Sequence, residues 1–193
     1  MTDIDYDWEF LEDGVRIEPI SIGMVSADGR EYYAVNGRLA ERSWSGWRLR
    51  RRIRKHEWLM ANVVPHLPKA HGDWRLHMPR SWLFNYLDPA VKPLTQIADE
   101  VMDFIRAAGS DVQLWANYGG YDHVCLAQLW GRMIDLPEGV PMFTNDIQQE
   151  RARLGLGWDD LPKQESGEHN ALADARHNQT VRRWLAEQEA RTP

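Results

Sequence analysis

Residues 93–117 constrain the fold most. Leu94, Ile97, Ala98, Val101, Ile105 and Ala108 return at helical spacing, which makes one face of a helix apolar. Pro93 suits the first turn, where its missing N–H costs nothing, and Gly109 suits the stop. The run VQLWAN (112–117) is short and apolar, as a buried strand is. Gly119-Gly120 then turns the chain into a further helical stretch, GGYDHVCLAQLWG. Helix, strand and helix in such close succession call for a sheet with helices packed on it.

The chain on either side fits that scheme. Residues 4–11 read as a short strand. Residues 16–35 read as two strands around Asp28-Gly29, a dipeptide that favours a type I′ hairpin turn. Residues 38–58 turn basic, and a helix is expected from Trp47 or later to about Val64, before Pro65. The stretch 65–92 is rich in Pro, His and Trp and reads as an irregular insertion. After Pro141 come a short strand and another helix. A last helix runs from about Asn170 to Glu187, with Val181, Trp184 and Leu185 on its apolar side and a frayed tail beyond. The expected fold is α/β, a three-layer arrangement with a central mixed five-stranded sheet flanked by helices. At 193 residues the chain suits one domain with a sizeable core.

Composition excludes some functions. Net charge is −6, so any polyanion must be held by a local basic patch or through metal. Cys125 is the one cysteine, so no internal disulfide can form. The acidic start MTDIDYDWEF lacks the apolar stretch of a signal peptide, and no run is long enough to span a membrane. A soluble, cytoplasmic protein is the expectation.

Several acids stand out by context. Asp7 and Glu9 are two apart on a strand, so both point to one face with Trp8 on the other. Asp122 follows the strand 112–117 across the two glycines. Asp174 lies on the last helix, five residues after His169. Taken singly, each has a plain structural reading. Asp7 and Glu9 can form a solvated strand face, Asp122 a helix N-cap, and Asp174 an exposed helix position. His123 and His177 rival His169.

Together they form a pattern. DWE at 7–9, ANYGGYD at 116–122 and HNALADA at 169–175 resemble, in order, the three motifs of the DEDDh exonucleases. The chain is most similar to the small bacterial DEDDh exoribonucleases, RNase T-like in fold, over most of residues 5–187. The resemblance implies an RNase H-like fold and 3′-5′ hydrolysis of single-stranded RNA or 3′ overhangs to nucleoside 5′-monophosphates. It implies two divalent cations, Mg²⁺ or Mn²⁺, held by Asp7, Glu9, Asp122 and Asp174. Asp7 would bridge both, Glu9 and Asp174 would each complete one, and Asp122 would help hold the second. His169 would be the general base. Hard cations take oxygen ligands, and a histidine with an ordinary pKa of about 6.5 suits proton abstraction near neutral pH.

Phe10, Leu11 and Tyr121 are candidates for contact with the terminal bases, since stacking accepts any base. Arg48, Arg50 and Arg51, in the basic run 48–55, are candidates for phosphate contact. The resemblance also implies a homodimer. Two departures from the family pattern stand out: Trp8 is bulky and is expected to pack away from the site, and Asn117-Tyr118 replace the usual His-Asn. Two other readings remain open, a proofreading-type 3′-5′ exodeoxyribonuclease and a non-catalytic nucleic-acid-binding module.

Overall fold

The computed structural model describes residues 1–69 and 82–191. Among these, six strands form one mixed sheet. In chain order they are β1 (Thr2–Glu12), β2 (Ile17–Ser26), β3 (Glu31–Asn36), β4 (Val91–Lys92), β5 (Val112–Ala116) and β6 (Asn145–Asp146). The helices are α1 (Trp44–Lys55), α2 (Glu57–Asn62), α3 (Leu94–Ala107), α4 (Gly120–Gln128), α5 (Ile147–Arg153) and α6 (Ala171–Arg191). The strand order is β4-β3-β2-β1-β5-β6. β1, β2 and β3 pair antiparallel, while β5 joins β1, β6 joins β5 and β4 joins β3 in parallel.

Strict alternation along β1 sorts its side chains. Ile4, Tyr6 and Trp8 enter the main core with Ile97, Val101 and Ile105 of α3 and Cys125 and Leu126 of α4. Trp8 thus packs away from its acidic neighbours. Asp3, Asp5, Asp7 and Glu9 occupy the other face, under α6. A second cluster gathers Leu11, Ile20 and Val35 beneath Leu49, Ile53 and Leu59 of α1 and α2. Among the described residues, no helix is long and apolar enough to cross a membrane.

α6 comes down on the sheet at Gly23. A Cβ there would meet the backbone of Ala171 at 2.3 Å, so glycine is what permits the contact. Gly23 lies opposite Asp7 in the β1–β2 ladder. The close approach therefore sets the N-terminal turn of α6, which carries Asp174, beside the acids of β1.

Four expectations need correction. The sheet has six strands, not five, because the two-residue β4 adds to the β3 edge from within the stretch read as irregular. The hairpin is not type I′: Gly29 has φ +88° but Asp28 does not have positive φ. Instead the Gly29 N–H donates to Ser26 O at 3.0 Å and Asp28 accepts from the Arg30 N–H at 3.1 Å, so one left-handed residue closes the turn. The helix expected across 47–64 starts at Trp44, where Ser43 caps it by accepting from the Gly46 N–H at 3.1 Å, and breaks at His56. His56 is extended there (ψ 99°), and its ring accepts from the Leu59 N–H at 3.3 Å, capping α2. The last helix continues past Glu187 to Arg191. The insertion expected at 65–92 falls partly on residues 70–81, outside the described residues.

Candidate active site

The β1–β5 ladder ends at Asp5 opposite Trp115. Beyond it β1 has no strand on that side, and its next backbone donors need partners. Asp122 supplies one: its Oδ1 accepts from the Trp8 N–H at 2.7 Å. Asp122 is buried in the first turn of α4 and does not cap it; the cap position belongs to Gly119. Asp174 approaches from α6. Its Oδ2 accepts from the His169 N–H at 2.8 Å and its Oδ1 from Gln164 Nε2 at 2.7 Å.

These residues surround one cleft of about 810 Å³ that Asp7, Glu9, Asp122, His169 and Asp174 all line. Oxygen and ring-nitrogen atoms of Glu9, His169 and Asp174 lie within 4.8 Å of one another. Burial pushes Glu9 up to about 8, helped by the charges of Asp174 and Asp122. Burial likewise lifts Asp122 to about 7. Asp7 is held well above the usual carboxylate range by desolvation and then by Asp122, Glu9 and Asp174, which makes it the acid that feels all the others. Desolvation raises Asp174 too. Among the described residues, no Lys or Arg lies within ion-pair distance of any of the four.

Aromatic rings form the cleft walls. Phe10 keeps the parity of Trp8, packs one edge on the main core and meets Tyr121 of α4 edge-on at 5.8 Å. Tyr118 stacks on Trp158 at 6.0 Å. Trp58 of α2 meets the His169 ring edge-on at 4.7 Å. Tyr118 and His169 have φ of +55° and +65°, the only non-glycine residues in that region among the described residues. Such backbone costs roughly 1 kcal/mol or more and concentrates at functional sites.

The fold thus gathers all five sequence-predicted catalytic candidates, together with Phe10 and Tyr121. It does not bring the remaining contact candidates to this cleft. Leu11 is 3% exposed and sits in the second core cluster. Its parity places it with Asp7 and Glu9, but past Glu9 the ladder slips, with Ser21 opposite Glu9 and Pro19 opposite Phe10. Arg48, Arg50 and Arg51 lie on α1, away from the lining. Asn117, one departure from the family pattern, accepts from Gln148 Nε2 at 2.7 Å beside the cleft. Trp58, Trp158, Gln164 and His177 also line the cleft or hold its acids. His177 is one of the rivals to His169 that the sequence offers; the other three carry no local sequence signal and arrive through tertiary packing.

Four acids gathered from β1 and the first turns of α4 and α6, with no Lys or Arg in ion-pair distance among the described residues, are a donor set suited to hard divalent cations. The chain belongs to the Rv2179c-like 3′-5′ exoribonuclease domain family, whose model matches residues 2–185. It is 39% identical over 179 residues to the 3′-5′ exoribonuclease Rv2179c of Mycobacterium tuberculosis strain H37Rv, covering 89% of this chain and 85% of that one. The 3′-5′ exoribonuclease MT2234.1 of strain CDC 1551 matches to the same extent. The expectation of a 3′-5′ exoribonuclease is thereby borne out at the level of family. A structure of S. pombe Pop2p in its Mg²⁺- and Mn²⁺-bound form is similar with a TM-score of 0.40 at 11% identity, over 97% of this chain and 82% of that one.

Proposed function

We propose that the chain is a DEDDh-type 3′-5′ exoribonuclease that removes nucleoside 5′-monophosphates from single-stranded 3′ ends. One observation carries this reading: Asp7, Glu9, Asp122 and Asp174 converge from one strand and two helices on a cleft with His169 at its edge. Asp7, which feels the other three charges, would hold two divalent cations, Mg²⁺ or Mn²⁺, together with Glu9, Asp174 and Asp122. Bound there, the cations would stabilise the charge that develops on the phosphate and favour ionisation of water.

The protein's own groups do the rest. The His169 ring takes a proton from the attacking water as the water oxygen bonds to phosphorus. The P–O3′ bond breaks, the O3′ gains a proton, and the shortened RNA keeps a new 3′-hydroxyl. The bond from the His169 backbone N–H to Asp174 fixes the backbone that carries the ring, and the edge-on contact with Trp58 restrains the ring itself. Phe10 with Tyr121, and Tyr118 with Trp158, offer apolar faces to the last bases without choosing among them. A homodimer in the cytoplasm completes the reading. What supports it is the likeness to RNase T-like enzymes and a lone thiol, Cys125, that is buried; sedimentation of the purified protein tests the dimer.

The test is the decay of a 5′-labelled 20-nucleotide RNA with Mg²⁺, Mn²⁺ or EDTA. Single-nucleotide shortening that needs metal is expected. Asp7→Asn should slow it by at least about 10³-fold, near 4 kcal/mol. His169→Ala should slow it by roughly 10²–10⁴-fold. Internal fragments would make the protein an endonuclease, and faster decay of the matched DNA would make it an exodeoxyribonuclease.

A further inference from the structure

The cations of α1 are sorted by the fold. Arg50 donates to Leu39 O at 2.9 Å and Glu41 O at 2.6 Å. Arg52 pairs with Glu18 at 2.5 Å and Asp13 at 2.6 Å. Both serve the fold. Arg48, Arg51, Arg54 and Lys55 have no carboxylate partner among the described residues. Arg51, Arg54 and Lys55 line a groove of about 480 Å³, separate from the catalytic cleft, together with the backbone-bonded Arg50 and with Trp47, Trp82 and Tyr86.

Its aromatic residues are fixed in place. Trp82 Nε1 donates to the Tyr86 hydroxyl at 2.9 Å, and the ring of buried Phe84 meets Tyr86 edge-on at 5.2 Å. The Arg51 guanidinium lies 5.4 Å from the Trp47 ring, which stacks on Trp44 at 4.8 Å. Trp47 and Tyr86 remain 44% and 45% exposed.

A plain solvated helix does not account for this arrangement. Arg54 and Lys55 complement the carbonyl end of α1, but Arg51 lies a turn earlier. Like charges three and four apart on a helix repel. The chain as a whole is acidic, at −6, so the patch does not follow from bulk composition. Cations and flat aromatic rings in one groove suit a flexible polyanion that carries planar bases, which is single-stranded nucleic acid. The groove also adjoins the cleft: Lys55 is three residues from Trp58, so their Cα atoms are at most about 11 Å apart.

We propose that this groove binds single-stranded RNA on the 5′ side of the terminus that occupies the cleft. Its phosphates would meet Arg51, Arg54 and Lys55, and a base would stack on Trp82 or Trp47. The choice of RNA, and of which end lies in the cleft, rests on the exoribonuclease reading.

Binding is measured by fluorescence anisotropy with 5′-labelled RNAs of 4 and 20 nucleotides. EDTA and an Asp7→Asn background prevent cleavage. Arg51→Ala/Arg54→Ala should weaken the 20-mer by about tenfold or more and the 4-mer by less than about twofold. The slope of log K against log salt should fall by roughly 1.4, two phosphate contacts at about 0.7 each. Arg51→Lys/Arg54→Lys should restore most of the salt slope, and Trp82→Ala should lower affinity without changing that slope. In the active protein the loss with long RNA should fall on KM. Unchanged 20-mer binding, or equal losses for both lengths, would overturn the groove, as would tighter binding of a matched DNA 20-mer. A wild-type protein that binds RNA through the groove and degrades none would overturn the exoribonuclease reading and leave the groove standing.

Discussion

The two halves of β1 present the same kind of side chain to the same helix with opposite results. Asp3 and Asp5, at one end, meet Arg182 of α6. Its Nε and Nη2 donate to Asp5 at 2.8 and 2.9 Å, and its Nη1 donates to Asp3 at 2.8 Å. Asp7 and Glu9, at the other end, meet Asp174. One geometry serves both. Four helical residues advance about 6 Å and two strand residues about 6.6 Å, so positions 182, 178 and 174 pass in turn over residues 3–5, 6 and 7–9. Asn178 marks the midpoint, donating to Tyr6 O at 3.2 Å. Acids on a buried strand face are therefore not functional in themselves. Their role depends on which residue the facing helix brings, a cation for structure or a further acid for a cleft that gathers charge.

Breaking the paired end should have the largest effect. Asp5 is fully buried, and burial raises its pKa more than Arg182 lowers it. The pair therefore offsets a desolvation cost more than it adds net stability. Arg182→Met should destabilise by about 3–5 kcal/mol in urea denaturation, because it strands a buried charge. Adding Asp5→Leu should recover most of that loss. Asp7→Asn should do the reverse in EDTA, raising stability by roughly 1 kcal/mol as it relieves repulsion between like charges. If Asp7→Asn destabilises as much as Asp5→Asn, both ends of β1 are structural and the contrast fails.

Gly23 tests whether the unpaired end depends on close packing. A Cβ at this position runs into backbone, not into a side chain that can swing aside. Gly23→Ala should cost about 2–3 kcal/mol, toward the upper end of overpacking. It should also reduce RNA decay by more than its effect on the folded fraction explains, because it shifts Asp174 away from Asp7. Full activity per folded molecule would show that the cleft tolerates movement of α6.

How much of this is legible in the sequence follows the same division. The motif acids, the helix at 94–107 and the strand at 112–116 are local patterns, set by spacing and by Pro and Gly at their ends. The four odd-numbered acids of β1 are equally visible, yet the motif picks out only Asp7 and Glu9. Separating them from Asp3 and Asp5 on physical grounds requires knowing where Arg182 lands, and no local rule supplies that. Gly23 lacks a positive φ, so nothing in its own stretch shows why it is glycine. The break at His56 rests on one side-chain cap, and β4 on two residues; both are below what periodicity resolves. Trp58 reaches His169 only because α2 folds back over the cleft.

A smaller effect than that of Gly23 is expected from the pH dependence of the unpaired end, and its sign is set by the raised pKa values. Between about 4.5, the ordinary value for Glu9, and about 8, its value in the fold, the native protein holds more protons than the unfolded chain. Stability in EDTA must then fall as pH rises through that window and level off above it. Asp122, raised to about 7, acts in the same direction. His66, His123 and His177 act against it: burial lowers their pKa values, so they add stability as pH rises through the ordinary histidine range. Comparison with Glu9→Gln separates the two. The variant should match wild type near pH 5 and exceed it at pH 8.5 by about 1–2 kcal/mol. Each tenfold change in proton affinity corresponds to roughly 1.4 kcal/mol, but a proton lost from Glu9 is partly taken up by its charged neighbours. Mn²⁺ at millimolar concentration should stabilise wild type at pH 8.5 and close that gap, with less effect on the variant. A wild-type minus variant difference that stays flat from pH 5 to 8.5 would mean that Glu9 carries no uncompensated charge and that the two ends of β1 are electrostatically alike.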